Sequence, residues 1–338
     1  MVNPAPGRKN VLVTGGAGFI GSHLCEKLLA EGARVICIDN FSTSHEQNIH
    51  GLLQSPDFQF LRLDINEPIN LEVFPELAHF QIKFQGIQEI YHLACPTSIK
   101  KFDQFKMQTL LTSSVGTRNV LDLAVQYRAK LLFVSSSVVY GARSSDGQVY
   151  TEETEGLLNH LSPRGCYDEG KRFAETMCET YAQVHGIEIK IARLFRTYGP
   201  RMPLFDGHLI PDFVLNAIDN KSLVIYGDEK FTTSLLYVTD AVDGLLRLMS
   251  GSAEAKVVNL GSDLSLKISE VAKQIITMVG SSSEVSYEPP LLFLTPLGLP
   301  SIARAREALG WIPLVRLEDG LRKTIEYVKA NKILLTSL

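Results

Sequence analysis

Three kinds of feature are missing from this 338-residue chain, and each absence narrows the range of possible functions. There is no basic excess, because the formal net charge is −4, so the sequence predicts no nucleic-acid partner. No apolar run approaches the ~18 residues of a membrane span, and the polar, proline-bearing segment 1–10 is short for a signal peptide. We therefore also expect no membrane partner.

Paired cysteine motifs are absent as well. The five cysteines show no C-x-x-C pair and no His-rich partner spacing, so no metal site is expected; they are Cys25, Cys37, Cys95, Cys166 and Cys178. Their odd number favours reduced thiols and a cytoplasmic location. Cys166 precedes Tyr167 and could be interpreted as a nucleophile, but a structural role is the better interpretation.

The composition that remains is that of a globular enzyme, with 45% apolar and 21% charged residues. Strand-like and helix-like stretches alternate up to about residue 195, which predicts an α/β fold with a doubly wound parallel sheet of the Rossmann type. After Gly199 the pattern loosens. We therefore divide the chain into a cofactor-binding domain over 1–195 and a second domain, mainly over 196–338, with some later segments returning to the first.

The strongest cofactor signal is a glycine-rich loop in the right context. A buried strand over 10–14 leads into Gly15–Gly21, a helical stretch follows, and a second strand ends in Asp39. Small residues let a pyrophosphate approach the backbone and the helix N-terminus, and an acid at Asp39 favours NAD over NADP. A chance turn is the alternative. The predicted NAD-binding residues are Gly15, Gly18, Phe19, Ile20, Gly21, Asp39, Asn40, Asp64, Ile65, Leu93 and Ala94.

The catalytic signal is a Tyr and a Lys four residues apart, Tyr167 and Lys171, placed 30 positions after a serine run. That spacing puts both side chains on one side of a helix, where the ammonium would lower the pKa of the phenol. Ser136 and Ser137 could share the proton. Such a group removes a proton from a hydroxyl while a hydride leaves the carbon, so we expect both Tyr167 and Lys171 also to contact NAD. The alternative is an ordinary surface pair.

With these residues the chain resembles the extended short-chain dehydrogenases/reductases that modify nucleotide sugars, most closely the UDP-glucuronate decarboxylase branch. The resemblance covers nearly the whole length and is carried by Gly15–Gly21, Tyr91–Pro96, Ser162–Arg172, Thr197–Met202 and Tyr237–Asp240. It implies NAD, a UDP-linked sugar as substrate, oxidation at C4 of the hexose with Tyr167 as base, and a smaller C-terminal α/β domain closing over the substrate. Substrate-binding candidates on this basis are Arg196, Arg201, Tyr226 and Thr233.

Departures from that branch bear on the net reaction. Val138 stands where decarboxylases carry a glutamate, Thr232-Thr233-Ser-Leu replaces an arginine-bearing segment, and no charge occurs over 294–302. Arg196 replaces an asparagine, and Ser113 another. Because epimerisation needs no extra acid, we expect a UDP-sugar 4-epimerase-like outcome. Decarboxylation to UDP-xylose, dehydration, an inactive NAD-binding relative and an oxidoreductase for a less charged alcohol are the alternatives.

Two helical stretches have apolar faces that this chemistry does not use, one over 105–127 and one following Lys171. Packing on their own sheet is one explanation. The resemblance favours the other, a homodimer formed by a four-helix arrangement.

Overall fold

The structure is a computed structural model that describes residues 8–99, 101–144, 147–252, 254–289 and 297–336. Its strands are, in chain order, β1 Asn10–Thr14, β2 Arg34–Asp39, β3 Phe58–Arg62, β4 Glu89–His92, β5 Lys130–Ser136, β6 Val149–Tyr150, β7 Ile189–Leu194, β8 Thr197–Tyr198, β9 Leu223–Tyr226, β10 Thr232–Thr233, β11 Leu236–Tyr237, β12 Val257–Leu260, β13 Leu266–Lys267, β14 Val285–Glu288 and β15 Leu299–Pro300.

The helices are α1 Phe19–Ala30, α2 Ile82–Gln85, α3 Phe102–Leu111, α4 Thr117–Tyr127, α5 Gly165–His185, α6 Leu209–Ile218, α7 Val238–Ser250, α8 Ile268–Val279, α9 Ala303–Leu309 and α10 Leu317–Thr336. A π-helical turn, Thr112–Gly116, joins α3 to α4. Single 3₁₀ turns occur at Glu46–Asn48, His50–Leu52, Leu71–Val73, Pro75–Phe80 and Ser137–Tyr140.

Seven parallel strands form the central sheet in the order β12-β7-β5-β4-β1-β2-β3. The order reverses between β1 and β4, which is the switch point where α/β sheets of this kind bind ligands. The expected Rossmann-type α/β fold is thus confirmed.

The sheet is covered on both faces because its strands are apolar on both sides. Residues of α1, α7 and α9 pack with Val11, Val13 and Val35 on one face. Residues of α4 and α5 pack with Leu12, Ile36 and Ile90 on the other. Alternate residues of β1 and β2 therefore belong to different cores, as expected for a buried parallel sheet.

A further apolar core lies beyond the sheet, built from α6, α8 and α10 with β9 and β14. The small paired strands β14–β9 and β10–β13 belong to this later part of the chain. Strand β12, although it follows residue 196, lies in the central sheet beside β7. The division into domains at residue 195 stays a prediction.

Candidate active site

The glycine loop is shaped by close backbone contacts. A Cβ on Gly21 would lie 2.1 Å from the Gly15 carbonyl oxygen, and one on Gly15 would lie 2.7 Å from the Ala94 nitrogen, so neither position accepts a side chain. Helix α1 begins at Phe19, inside the motif, and its first backbone hydrogen bond runs from Ser22 N to Gly18 O. The N–H groups of Phe19, Ile20 and Gly21 are therefore left for an anion such as a pyrophosphate.

Asp39 ties the end of β2 to this loop. Its carboxylate accepts hydrogen bonds from Ala17 N at 3.1 Å, Phe41 N at 2.9 Å and the Ser44 hydroxyl at 2.7 Å. A carboxylate offers about four lone pairs, so one acceptor position stays open toward the cavity that Asp39 lines. This arrangement suits a ribose hydroxyl, and the carboxylate would repel a 2′-phosphate.

One cavity of about 370 Å³ runs across the carboxyl ends of the central strands. All of the predicted NAD-binding residues and Ser136, Ser137, Tyr167 and Lys171 line it, as does Arg196. The other three substrate-binding candidates lie elsewhere. Arg201 pairs with Glu26 of α1 at 2.6 Å, Tyr226 ends β9 opposite Glu288, and Thr233 is buried and hydrogen-bonded to Ser234 O. The structure therefore gives these three no place in the cavity wall it describes.

Tyr167 and Lys171 stand one turn apart near the start of α5, and Lys171 is held firmly. Its buried Nζ donates to Val134 O at 2.9 Å, 4.9 Å from the centre of the Phe133 ring and 6.0 Å from that of Tyr167. The Tyr167 hydroxyl is hydrogen-bonded to Ser136. Ser137 begins the following 3₁₀ turn and is buried.

The pKa of Tyr167 is raised, not lowered as the sequence predicted. Burial raises the pKa of the phenol most strongly, and the neighbouring Cys95 thiol adds to that effect. Lys171, Arg164 and the Ser136 hydrogen bond oppose it. The expectation considered only the ammonium and omitted the cost of burying a phenolate.

Two guanidinium groups line this cavity, that of Arg196, which the sequence named as a candidate, and that of Arg164, which it did not. Arg164, three residues before Tyr167, lies over its ring at 5.3 Å and pairs with Asp168 at 3.0 Å; its i−3 spacing is the signal that could have identified it. Burial and then repulsion from Arg164 lower the pKa of Arg196 to about 10. Among the described residues, no carboxylate pairs with Arg196, so the cavity wall carries an uncompensated cation.

His92, the last residue of β4, is a buried and packed strand residue. Thr117 Oγ1 donates to Thr112 O, so it accepts from His92 Nε2–H at 3.2 Å, and His92 Nδ1 accepts from Thr14 Oγ1 at 2.8 Å. Burial, reinforced by the charge of Lys171, lowers the pKa of His92 to about 3. The imidazole is therefore neutral.

With this geometry in view, comparison with known proteins decides the family. A model of the NAD dependent epimerase/dehydratase family matches residues 11–261. The chain belongs to this family. It is an enzyme of that family, and NAD is its cofactor.

Individual relatives refine the comparison. The chain is 40% identical over 324 residues to UDP-glucuronic acid decarboxylase 1 of Xenopus tropicalis, covering 95% of this chain and 72% of that protein. It is 38% identical to UDP-glucuronic acid decarboxylase 1 of Arabidopsis thaliana, covering 97% and 71%. Among solved structures, UDP-glucuronic acid 4-epimerase of Bacillus cereus aligns with a TM-score of 0.81 at 27% identity, covering 95% and 99%.

These relatives correct the expected outcome. The epimerase prediction is wrong, because the curated relatives that match nearly the whole chain at about 40% identity are decarboxylases. The error came from giving departures at a few positions, Val138 among them, more weight than the similarity of the whole chain.

Two further observations concern membranes and metal ions. No helix in the described part of the chain is both long and apolar enough to cross a bilayer. Over the same residues, no cluster of three or more metal-ligating side chains occurs.

Proposed function

We propose that this enzyme converts UDP-glucuronate into UDP-xylose and CO₂. The observation that carries the proposal is the cavity, where the Tyr167–Ser136 hydroxyl pair shares a wall with the cationic groups of Lys171, Arg164 and Arg196. A substrate with a diphosphate and a carboxylate brings negative charge to these cations, of which Arg196 has no carboxylate partner among the described residues. The decarboxylase relatives, at about 40% identity, support the same substrate.

Tyr167 performs the first proton transfer. Its phenolate takes the proton of the C4 hydroxyl, with Ser136 donating a hydrogen bond to the developing charge, and returns that proton to O4 at the end of the reaction. NAD, held by the glycine loop and Asp39, would supply the hydride acceptor for C4. Lys171 holds its position through Val134 O and favours the phenolate electrostatically.

Val138 is compatible with loss of CO₂. Oxidation at C4 makes the substrate a β-keto acid, and the C5–C6 bond of such an acid breaks without help from an added carboxylic acid. Val138 is buried and lines the cavity. An apolar neighbour removes water from the substrate carboxylate, which favours the transition state in which that charge disperses.

The test is incubation of the purified enzyme with UDP-glucuronate, with products identified by NMR and CO₂ measured directly. We expect UDP-xylose and one CO₂ per turnover. Formation of UDP-galacturonate with the carboxylate retained would contradict the proposal.

Arg196 provides a second, independent test. Arg196→Gln removes a cation from the cavity wall, and we expect KM for UDP-glucuronate to rise on the order of 10- to 100-fold, the loss of charge-assisted hydrogen bonds of about 1.5–3 kcal/mol. Arg322→Gln, on the exposed surface of α10, is the matched control and should leave KM unchanged. An unchanged KM in Arg196→Gln would remove Arg196 from the substrate site.

We further propose a homodimer. Met107, Leu110 and Leu111 on α3 and Phe173 on α5 are exposed by 40–63% of their surface, and α3 packs beside α5. Neighbouring apolar side chains on two adjacent helices form the kind of surface that a second copy covers.

A cytoplasmic location is proposed from the thiols. All five cysteines are free, and Cys25, Cys37 and Cys178 are buried. Free buried thiols are typical of reducing compartments. Fractionation of source cells with an antibody to the chain would test this location; recovery in a secreted fraction would contradict it.

A further inference from the structure

A chain of three polar side chains in contact lies at the cavity, apart from Tyr167 and Lys171. Asp206, in the loop between β8 and α6, accepts a hydrogen bond from the Ser98 hydroxyl with one oxygen. Its other oxygen lies 3.3 Å from Nε2 of His208, and the side chains of His208 and Asp206 are only 18% and 13% exposed. Ser98 and His208 both line the cavity that contains Tyr167.

We propose that His208 is the acid that delivers a proton to C5 of the sugar after CO₂ has left, with Asp206 as its positioning residue. This role rests on the proposed decarboxylation. When the C5–C6 bond breaks, its electron pair stays on C5 as the enolate of the C4 ketone, and C6 departs as CO₂. A new C5–H bond then forms with the proton of the imidazolium, and the neutral imidazole recovers a proton from water, so one solvent proton is consumed per CO₂.

The reaction needs this second acid because the Tyr167 proton is committed to O4. The Arg164 guanidinium pairs with Asp168, the pKa of about 10 leaves Arg196 a cation at neutral pH, and serine hydroxyls are not acidic enough. Imidazole is the side chain suited to proton transfer near neutral pH. Nε2 faces Asp206, and Nδ1 has no hydrogen-bond partner among the described residues, so one nitrogen is oriented while the other is available.

The carboxylate of Asp206 orients the imidazole ring of His208. It lies against Nε2 of that ring, while the Ser98 hydroxyl, which also accepts from Lys101 N at 3.0 Å, holds the carboxylate. A proton donor held on one side of the sugar protonates one face of C5 only.

The experiment is turnover of UDP-glucuronate in D₂O, followed by NMR of the two C5 positions of UDP-xylose. Wild-type enzyme should place deuterium in one C5 position only. In His208→Gln, we expect deuterium in both positions, because water then protonates either face, and a fall in kcat on the order of 10²-fold or more. We would also expect this variant to release some UDP-linked 4-keto pentose. Reduced NAD would then remain on the enzyme and would be detected by its absorbance at 340 nm.

Asp206→Asn should show the same loss of facial preference to a smaller degree, and it keeps the test open if His208→Gln fails to fold. The control is His50→Gln, an exposed histidine outside the cavity, which should match the wild type. Wild-type stereospecificity and rate in both His208→Gln and Asp206→Asn would overturn this role alone. A wild-type enzyme that releases no CO₂ would overturn the proposed function and this role with it.

Discussion

At the scale of single residues, the Tyr167 hydroxyl works in surroundings that oppose its ionisation. Burial holds its pKa above the ordinary value, and Lys171, Arg164 and Ser136 act in the other direction. The proton-accepting form is therefore a minor one in the protein alone, which makes every opposing contact important for the rate.

Tyr167→Phe should lower kcat by about 10²- to 10⁴-fold, because the substrate hydroxyl loses its proton acceptor. NAD content of the purified protein should stay unchanged. Tyr181→Phe is the control, since its hydroxyl, on the same helix, binds Asp122 on the outside of the protein. Steady-state kinetics with the NAD content of each variant decide the matter; full activity in Tyr167→Phe would contradict the role of Tyr167 as base.

His92 makes stability depend on pH. Its pKa of about 3 in the folded protein lies below the ordinary 6.5, so its contribution is complete above pH 6.5 and is lost as the pH falls toward 3. Each pH unit below 6.5 costs about 1.4 kcal/mol, or about 2 kcal/mol at pH 5. His23, whose pKa burial lowers to about 4, adds a loss of the same sign.

Urea unfolding at pH 7 and pH 5 would measure this dependence. We expect His92→Gln, which can still donate and accept, to lose about 2 kcal/mol less than the wild type between the two pH values. Equal losses in the two proteins would show that His92 is not the titrating group.

At the scale of elements, Lys190 of β7 provides the C-terminal cap of α7. Its Nζ donates to the carbonyl oxygens of Leu248, Gly251 and Ser252 at 2.8, 2.7 and 3.1 Å, and the side chain is almost completely buried. A cation at this end of a helix satisfies carbonyl groups that have no helical partner.

Lys190→Met should lower the free energy of unfolding by roughly 2–4 kcal/mol, because hydrogen bonds from a charged group are lost and buried carbonyls lose their donor. Lys267→Met, at a position whose side chain is 59% exposed, should change it by less than about 0.5 kcal/mol. Urea denaturation with matched m-values provides the comparison, and equal midpoints for the two variants would contradict the capping role.

The ends of elements show which sequence signals are sufficient. The strand over 10–14 has the bounds that the sequence predicts. Helix α6 begins at Leu209 and accommodates Pro211 in its first turn, where a helix needs no N–H donor. Helix α1 begins at Phe19, inside the glycine motif, whereas the sequence placed the helical stretch after that motif.

The site residues also fall into those that local sequence signals place and those that they do not. Residues next to a strand end or one turn apart on a helix could be placed from sequence, because the local geometry fixes them, as for Asp39, Tyr167 and Lys171. Arg201, Tyr226 and Thr233 could not, because their positions depend on how the later segments pack. The Ser98–Asp206–His208 chain joins residues 108 apart in sequence and leaves no local signal.

At the scale of the whole molecule, a measurement of mass in solution tests the proposed homodimer. Light scattering at micromolar concentration should give twice the 37.4 kDa chain mass. The double variant Leu110→Lys with Phe173→Lys places charges on the exposed apolar surface and should give the monomer mass. Leu314→Lys, exposed by 72% near the start of α10, is the control and should remain dimeric. A monomeric wild type would rule out the proposed dimer.

Helix α1 makes contacts beyond the glycine loop from which it starts. From the same helix, His23 contacts Pro200 O at 3.0 Å and Glu26 holds Arg201, whose φ of +66° is unusual for a residue with a side chain. These contacts anchor the start of the loop that ends in Asp206 and His208. Helix α1 therefore joins two parts of the cavity wall, the glycine loop and the segment that carries His208, so a displacement of this helix would move both together.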